Sequence, residues 1–561
     1  MGVMSSIESL GWQHTLFMKR LNRFELLKLR PDWPCAKISL RVYRNHGVEQ
    51  VLSALPPFLG FGGFIAEVWT GDYDDSLTFP PASADASLVW IDFSRYATLA
   101  TGELIDWFLA RLDALRATDN GALIVANDPD DTPRAAAINQ ALSDWAKRTP
   151  RVALLGLAKI TSGLGAAAFD ARRQKLTATR LSDAACLEAA RELGLSVLPE
   201  MFAPPLKALA VDLDNTLYSG VLGEDGAAGV VLTPGHKLLQ EKLVELQSRG
   251  LLIVIVSKNE LADVQALFAE RTDFPLRPET VSDWRVSWNG KAAGIREAAA
   301  ALRISEDAFL LIDDNLGELT SVAAELPRVR LVYAAAADEE TAAALDYFPG
   351  LSGRSASRTD ALRASDLQAN RKREALAVTA TDPASYLKSL GVEIVLAMNP
   401  AEDRGRLAEM CIKTNQFNLA LARLDELMVD RYLVDPERRA VMVFMKDRLA
   451  DSGSVAALFA RREAGVLHID ELCISCRAMG RHLEDIMIAA AIEGAVAELA
   501  VETVRFTHAV GPRNQPARAW LASFAAVDLG DQPGHVDLAW RQPRLSSMLV
   551  DPPVSIKWNK S

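Results

Sequence analysis

The sequence predicts an α/β protein made of three successive folded regions. Three observations lead there. Short apolar runs alternate with amphipathic helical stretches through the first 350 residues, the pattern of parallel sheets flanked by helices. Several of those runs end in polar or acidic residues, and in open α/β sheets ligands bind at that edge. After residue 385 the order changes to a meander of strands with helices between them, an α+β pattern. A length of 561 residues is enough for two to four domains.

Composition narrows the function classes. Apolar residues make up 49% of the chain, enough for several cores. No run of about 20 uncharged apolar residues occurs, so no membrane span is expected. Arg20, Arg23, Glu25, Lys28 and Arg30 interrupt the apolar positions near the N-terminus, so no signal-peptide core is expected either. A net charge of −12 argues against a general nucleic-acid binder. The five cysteines are odd in number and scattered, unlike a disulfide framework. Cys473 and Cys476 form a C-x-x-C without a second pair, and His468 and His482 fall outside zinc spacing. A cytoplasmic protein with free thiols is the expectation.

Residues 1–200 read as an N-terminal three-layer α/β scaffold domain. Its strand candidates are Ile38–Val42, Phe64–Val68, Ser87–Phe93, Ala122–Ala126 and Val152–Leu157. Helices Thr101–Leu115 and Thr132–Lys147 lie between them, and Ser182–Leu193 follows. The alternation resembles flavodoxin-like and SGNH-like domains. No catalytic set stands out, so a scaffold or docking role is expected.

Pro204-Pro205 marks the next boundary, and residues 201–350 read as a central α/β domain. An apolar run, Leu206–Val211, leads into Asp212-Leu213-Asp214-Asn215-Thr216. Such a run suits a buried parallel strand, which places two carboxylates at its C-terminal end. Gly220-Val221-Leu222-Gly223-Glu224-Asp225-Gly226 then suits a tight flap. Helix Gly235–Arg249 carries Leu239, Leu243 and Leu246 on one face and stops at Gly250. Strand Leu251–Val256 ends in Ser257-Lys258-Asn259. A hydroxyl there, with helix N–H groups beside it, can hold phosphoryl oxygens. Lys291 opens helix Ala292–Leu302, where the macrodipole disfavours a cation. A bound phosphate would explain it. Strand Ala308–Ile312 ends in Asp313-Asp314-Asn315, a second acidic pair that completes an oxygen-ligand site for Mg2+.

The order Asp212/Asp214, Ser257, Lys291, Asp313/Asp314 points to phosphoryl transfer. The spacings of 45 and 34 positions (257 − 212 and 291 − 257) leave no room for a large cap domain. An open site is therefore expected. Asp-x-Asp-x-Thr after a buried strand resembles the first motif of the haloacid dehalogenase (HAD) superfamily.

Residues 351–384 read as a connector, with polar stretches Ser352–Ser355 and Asn370–Glu374. Residues 385–545 read as the α+β domain and 546–561 as a tail. Strand candidates are Val392–Ala397, Arg439–Asp447, Ser454–Arg461, Gly465–Glu471 and Thr503–Thr507. Helices are expected at Asp403–Lys413, Asp425–Tyr432, Arg481–Glu498 and Ala517–Phe524. The segment Leu472–Arg481 ends a strand and opens a helix, and resembles the junction that cradles a pyrophosphate or pantetheine arm in GNAT acyltransferases.

As a whole the chain resembles the FkbH-like proteins, which join a subclass IIIC HAD domain to a GNAT-like domain. The matching stretches are Asp212–Leu217, Gly220–Gly226, Ser257–Asn259, Ile312–Asn315, Lys413–Leu419, Asp451–Gly453 and Ser475–Arg477. The resemblance implies an enzyme that dephosphorylates a 1,3-bisphosphoglycerate-like donor. It would load a glyceryl-type unit onto the phosphopantetheine thiol of an acyl carrier protein, for polyketide and related pathways. By matching position Asp212 is the nucleophile and Asp214 the acid/base, with Asn215 and Thr216 beside them in contact with substrate. Ser257 and Lys291 hold the phosphoryl group, with Lys258 and Asn259 adjoining. Asp212, Asp214 through its carbonyl, and Asp314 or Asp313 ligate magnesium. Cys476, next to Arg477, is the candidate acyl carrier, ahead of Cys473 and Cys411. Lys413, Asn415, Gln416 and Asn418 either bind substrate or cap a turn. Tyr218-Ser219 stands where many members have Trp-Gly, so the flap is open to a different acyl group. A plain phosphatase of a small phosphorylated metabolite or sugar intermediate is the alternative reading.

Overall fold

The structure, a computed structural model, describes residues 7–559 apart from 81–82, 335–338, most of 352–381, 415, 476, 512 and 541–547. The chain forms two compact units: residues 1–301 with 305–355, and residues 302–304 with 356–561. The connector stretches Ser352–Ser355 and most of Asn370–Glu374 lie outside the described residues.

The first unit holds two parallel sheets. Strands β1 (Ala36–Arg44), β2 (Phe64–Tyr73), β3 (Ala86–Trp90), β4 (Ala122–Ala126) and β5 (Val152–Leu155) form the first, in the order β2-β1-β3-β4-β5. That is the flavodoxin-like strand order. The β3 and β4 strands are buried at every position, as expected for inner strands covered on both faces. The expected strand through Phe93 stops at Trp90, because the Asp92 side chain accepts from Ser94 N and starts a 3₁₀ turn. The flanking helices Thr101–Thr118 and Pro133–Arg148 form as expected, the second capped by Thr132. The helix at Asp183 is capped by Ser182 and runs on through a π-helical turn, Glu192–Val197.

Strands β6 (Ala208–Val211), β7 (Leu252–Ser257), β8 (Val281–Val286), β9 (Phe309–Asp313) and β10 (Arg330–Tyr333) make the second sheet, all parallel, in the order β10-β9-β6-β7-β8. This is the Rossmann order, with β6 in the middle and β9 and β7 on either side. Register pairs Val211 with Ile255 and with Ile312. Asp212, Ser257 and Asp313 therefore emerge together at one edge. Between these strands lie only helices Leu222–Gly229, Pro234–Ser248, Leu261–Glu270, Lys291–Leu302 and Leu316–Glu325 and two 3₁₀ turns, Pro278–Thr280 and Glu306–Ala308. No inserted cap domain exists there.

Both sheets share one apolar core. Phe17 packs edge-on against Phe61 of the first sheet's helix Glu49–Phe61, and both rings meet Phe348. Gln13 binds the edge strand β10 through Leu331 O (3.5 Å) and Tyr333 N (3.1 Å). The boundary at Pro204-Pro205 thus separates sheets, not cores.

The second unit is a seven-stranded sheet: β11 (Glu393–Met398), β12 (Arg438–Lys446), β13 (Asp451–Glu463), β14 (Val466–Ile474), β15 (Thr503–His508), β16 (Gly534–Ala539) and β17 (Ser555–Asn559), in the order β16-β15-β14-β13-β12-β11-β17. The β11–β14 meander is antiparallel, while β14 and β15 run parallel. Their pairing ends at Ile469↔Phe506, before β14 itself ends at Ile474. Helix Glu484–Leu499 is apolar almost all round and buries nine residues against the sheet. The expected tail differs: Ser555–Asn559 is a strand, paired in parallel with β11 from Glu393↔Ser555 to Ala397↔Asn559.

Among the described residues, no helix is long and apolar enough to cross a membrane.

Candidate active site

At the C-terminal edge of β6, β7 and β9, eight of the ten residues expected there are joined by direct contacts: Asp212, Asp214, Thr216, Ser257, Asn259, Lys291, Asp313 and Asp314. Asp212 continues the ladder, its N–H donating to Ile312 O at 3.1 Å. Its carboxylate turns onto Lys291, with Nζ–Oδ2 at 2.8 Å. Lys291 Nζ also contacts Asp313 Oδ2. All three side chains are at most 8% exposed. The expected reason for a lysine at this helix start was a bound phosphate. The structure supplies another: two buried carboxylates offset the unfavourable dipole.

The electrostatics follow from burial and from these pairings. Burial opposes the Lys291 charge, but Asp212 and Asp313 outweigh it and hold its pKa above the ordinary lysine value. Burial pushes the Asp212 carboxyl up, against the pull of Lys291. Asp313 is pushed up to about 6, first by burial and then by the neighbouring Asp212 charge. Asp314 rises for the same two reasons.

Carboxylate oxygens of Asp212, Asp313 and Asp314 lie within 4.8 Å of one another. Three carboxylates and one lysine leave a formal charge of −2 at the site. Hard oxygen donors with that charge fit a divalent cation, so the cluster can hold one. Within it the roles differ. Asp313 Oδ1 accepts from Asn315 N at 2.9 Å and Oδ2 meets Lys291. Asp314 is engaged by Thr216: Asp314 N donates to Thr216 Oγ1 at 3.2 Å, and Oγ1 donates to Asp314 Oδ1 at 3.5 Å. The Asp214 side chain is not in the cluster.

Asp214 is instead clamped by donors from three segments. Oδ1 accepts from Tyr218 Oη at 2.7 Å and from Leu222 N at 3.0 Å. Oδ2 accepts from Asn259 Nδ2 at 2.9 Å. The same amide donates to Ser257 Oγ at 3.1 Å. Ser257 also hydrogen-bonds to Asp212. One chain of contacts therefore runs from Asp214 through Asn259 and Ser257 to Asp212.

Several residues expected to touch substrate do other work. Asn215 sits at φ +54° and its Oδ1 accepts from Gly220 N at 3.0 Å, bracing the turn into the flap. Thr216 is buried and spent on Asp314. Lys258 forms an ion pair with Glu318. Asn259 orients Asp214 and Ser257. The flap is a short helix, Leu222–Gly229, broken at Gly226 (φ +65°). Tyr218 is the residue whose contact sequence reading missed. Its signal was present, because a residue four positions after Asp214 can fold back onto it across a tight turn. Burial, then the bond to Asp214, raises the Tyr218 pKa far above the tyrosine range, so the phenol stays a donor.

In the second unit the outcome is different. Cys476 and Asn415 lie outside the described residues. Lys413 is exposed and pairs with Glu409 at 2.8 Å. Asn418 is fully buried, donating to Cys411 O at 2.9 Å and accepting from Leu421 N at 2.9 Å, so it locks a turn. Gln416 is half-buried. Arg477 is buried and donates to Ser454 O (2.8 Å) and Ser475 Oγ (3.3 Å). Cys411 and Cys473 are both fully buried, and burial pushes the Cys473 thiol far up, which suits neither to carry an acyl group. Glu471 was not anticipated: its buried carboxylate accepts from Ala420 N (3.0 Å), Ala422 N (2.6 Å) and Leu472 N (2.8 Å).

No family model and no curated protein matches the chain. Solved structures give partial likenesses. The N-terminal part of a Bacteroides fragilis protein containing a phosphatase domain, complexed with Mg, is 19% identical. That match covers 63% of this chain and 100% of the other at a TM-score of 0.45. A mutant spermidine N-acetyltransferase from Vibrio cholerae is 10% identical over 26% of this chain and 94% of its own, at a TM-score of 0.20. A GNAT-family acetyltransferase from Streptococcus pneumoniae is 13% identical over 23% of this chain and 82% of its own, at 0.18.

Proposed function

We propose that the first unit is a magnesium-dependent phosphatase of the HAD type that works through an aspartyl phosphate. The observation that carries this reading is the Lys291 bridge between Asp212 and Asp313, one hydrogen-bond chain away from Asp214 and Ser257. Asp212 Oδ would attack phosphorus, forming an O–P bond as the bond to the leaving oxygen breaks. Asp214 would give a proton to the leaving oxygen, then take one from the water that releases phosphate. Ser257 and Lys291 would hold the phosphoryl oxygens. Asp212, Asp314 and Asp313 would hold magnesium, which would supply charge neutralisation for the carboxylates and the phosphoryl group.

For the whole chain we propose a bifunctional enzyme. It would take a 1,3-bisphosphoglycerate-like donor. The Cys476 thiolate would attack the acyl carbon, the C–S bond forming as the acyl phosphate leaves as inorganic phosphate. The Asp212 centre would hydrolyse the remaining phosphate ester, and the glyceryl-type unit would pass from Cys476 to the thiol of an acyl carrier protein, freeing the cysteine. Resemblance in the stretches Lys413–Leu419, Asp451–Gly453 and Ser475–Arg477 supports this, together with a parallel β14–β15 pair that parts before β14 ends. A plain phosphatase is the second reading. It is favoured by the clustering of Asp212, Asp313 and Asp314 at one sheet edge of the first unit.

Intact-protein mass spectrometry separates the two. The protein is incubated with Mg2+ and enzymatically generated 1,3-bisphosphoglycerate, with and without phosphopantetheinylated carrier. A glyceryl adduct that is lost in Cys476→Ala and passed to the carrier establishes acyl transfer. Phosphate release without adduct or loaded carrier leaves the phosphatase.

A further inference from the structure

We propose that Tyr218 is a positioning residue that fixes which oxygen of Asp214 exchanges the proton; the inference rests on the phosphatase reading above. The two oxygens of Asp214 face different surroundings. Oδ1 is occupied from the flap side by two donors, Tyr218 Oη at 2.7 Å and Leu222 N at 3.0 Å. Oδ2 has one donor, the Asn259 amide, which also reaches Ser257 Oγ. Oδ2 therefore lies on the side of Ser257 and, through it, of Asp212. An oxygen holding two N–H or O–H donors has both lone pairs engaged. It cannot readily carry a proton, so the proton resides on Oδ2 and faces the leaving group.

The phenol is well suited to set this arrangement. Tyr218 is fully buried. Its ring stacks on Phe274 at 5.9 Å and 20° between planes. Gln240 secures the backbone around it, donating to Leu217 O at 2.8 Å and accepting from Leu276 N at 3.2 Å. The ring has no freedom to turn its hydroxyl elsewhere. The flap is tied to the same carboxylate through Leu222 N, and its entry is braced by Gly220 N on Asn215 Oδ1 at 3.0 Å and Val221 N on Asp225 Oδ2 at 2.8 Å. Flap and acid/base carboxyl are thus one wired unit, with Tyr218 at its centre.

In the step concerned, the Asp212–phosphorus bond forms, the phosphorus–oxygen bond to the leaving group breaks, and the Asp214 Oδ2 proton goes to that oxygen. An alkoxide needs this proton; a p-nitrophenolate leaves without it. The test is kcat/KM, which reports transfer to Asp212, for glycerol phosphate and p-nitrophenyl phosphate in wild type, Tyr218→Phe, Asp214→Asn and the double variant. The proposal expects Tyr218→Phe to lose about tenfold or more on the alkyl ester, within the usual range of acid catalysis, and about twofold or less on the aryl ester. It expects Tyr218→Phe to change the alkyl rate by about twofold or less in the Asp214→Asn background, the non-additivity of residues acting through one another. Equal losses on both esters, as from damaged packing, overturn it. So does no loss on either, or full additivity in the double variant. A wild type that hydrolyses neither ester overturns the phosphatase reading, and the proposal falls with it.

Discussion

Lys291 Nζ lies 2.8 Å from Asp212 Oδ2 and also contacts Asp313, in a pocket where none of the three side chains is more than 8% exposed. A cation on the first turn of a helix is unfavourable alone. Here it is what allows two carboxylates to share one buried sheet edge.

Removing that charge should be felt in stability as well as in activity. Lys291→Met leaves Asp212 and Asp313 buried without a cation, and breaking a buried ion pair from one side costs about 3–5 kcal/mol. Urea unfolding is expected to show a loss of that order in the absence of divalent cations. Added Mg2+ is expected to restore part of it. A stability unchanged in metal-free buffer would mean the triad is not charged as described.

Metal removal should be reversible and residue-specific. Chelation is expected to abolish phosphate release, and Mg2+ to restore it. Asp314→Asn is expected to raise the Mg2+ concentration needed for half-maximal activity by about tenfold or more, since a hard cation loses one charged oxygen ligand. Asp313→Asn should instead resemble the Lys291 variant, because Asp313 is engaged by Lys291 and Asn315 N.

His46, at the C-terminal end of β1, makes the first unit acid-sensitive. Burial lowers its pKa from 6.5 to about 4, against the raising effect of Asp92. The folded chain keeps His46 neutral in that interval while the unfolded chain takes up a proton. Its contribution is therefore complete above pH 6.5 and is lost as the pH falls toward about 4. The loss is about 3 kcal/mol at 1.36 kcal/mol per pH unit. Chemical denaturation across this range is expected to show the slope in wild type and a shallower one in His46→Asn.

Glu471 holds the strained turn that follows Asn418. Leu421 and Arg423 sit at φ +56° and +51°, and the Glu471 carboxylate accepts the N–H groups of Ala420 and Ala422 beside them. Glu471→Ala removes the acceptor of these two part-buried donors and of the buried Leu472 N, and is expected to destabilise the second unit by about 3 kcal/mol. Hydrogen exchange should localise the first opening to residues 419–424.

What the sequence made legible was what chemistry and periodicity enforce. Apolar runs such as Ala208–Val211 and Phe309–Asp313, buried at every position, could be read as strands, and their acidic ends as a site. Strand β8 was not legible, because Val281-Ser282-Asp283-Trp284-Arg285-Val286 is an edge strand whose pattern is half-buried and polar. Strands β16 and β17 were missed for a similar reason: both flank the sheet and expose alternate or most residues. In the site, residue types were legible but not partners. Asn215, Thr216, Lys258 and Asn259 stood next to catalytic positions, yet their side chains brace Gly220, Asp314, Glu318 and Asp214. Only the fold could show that, since those partners lie up to 98 positions away.

The central claim is that Asp212 is the nucleophile of a phosphoryl transfer. Its most direct test is trapping. The protein is mixed with Mg2+ and acetyl phosphate, quenched in acid, and analysed by intact-protein and peptide mass spectrometry. The account predicts one added phosphoryl group on the peptide containing Asp212, absent in Asp212→Asn and accumulating in Asp214→Asn. Phosphate release at wild-type rate from Asp212→Asn, or a phosphoryl group on any other residue, would contradict it.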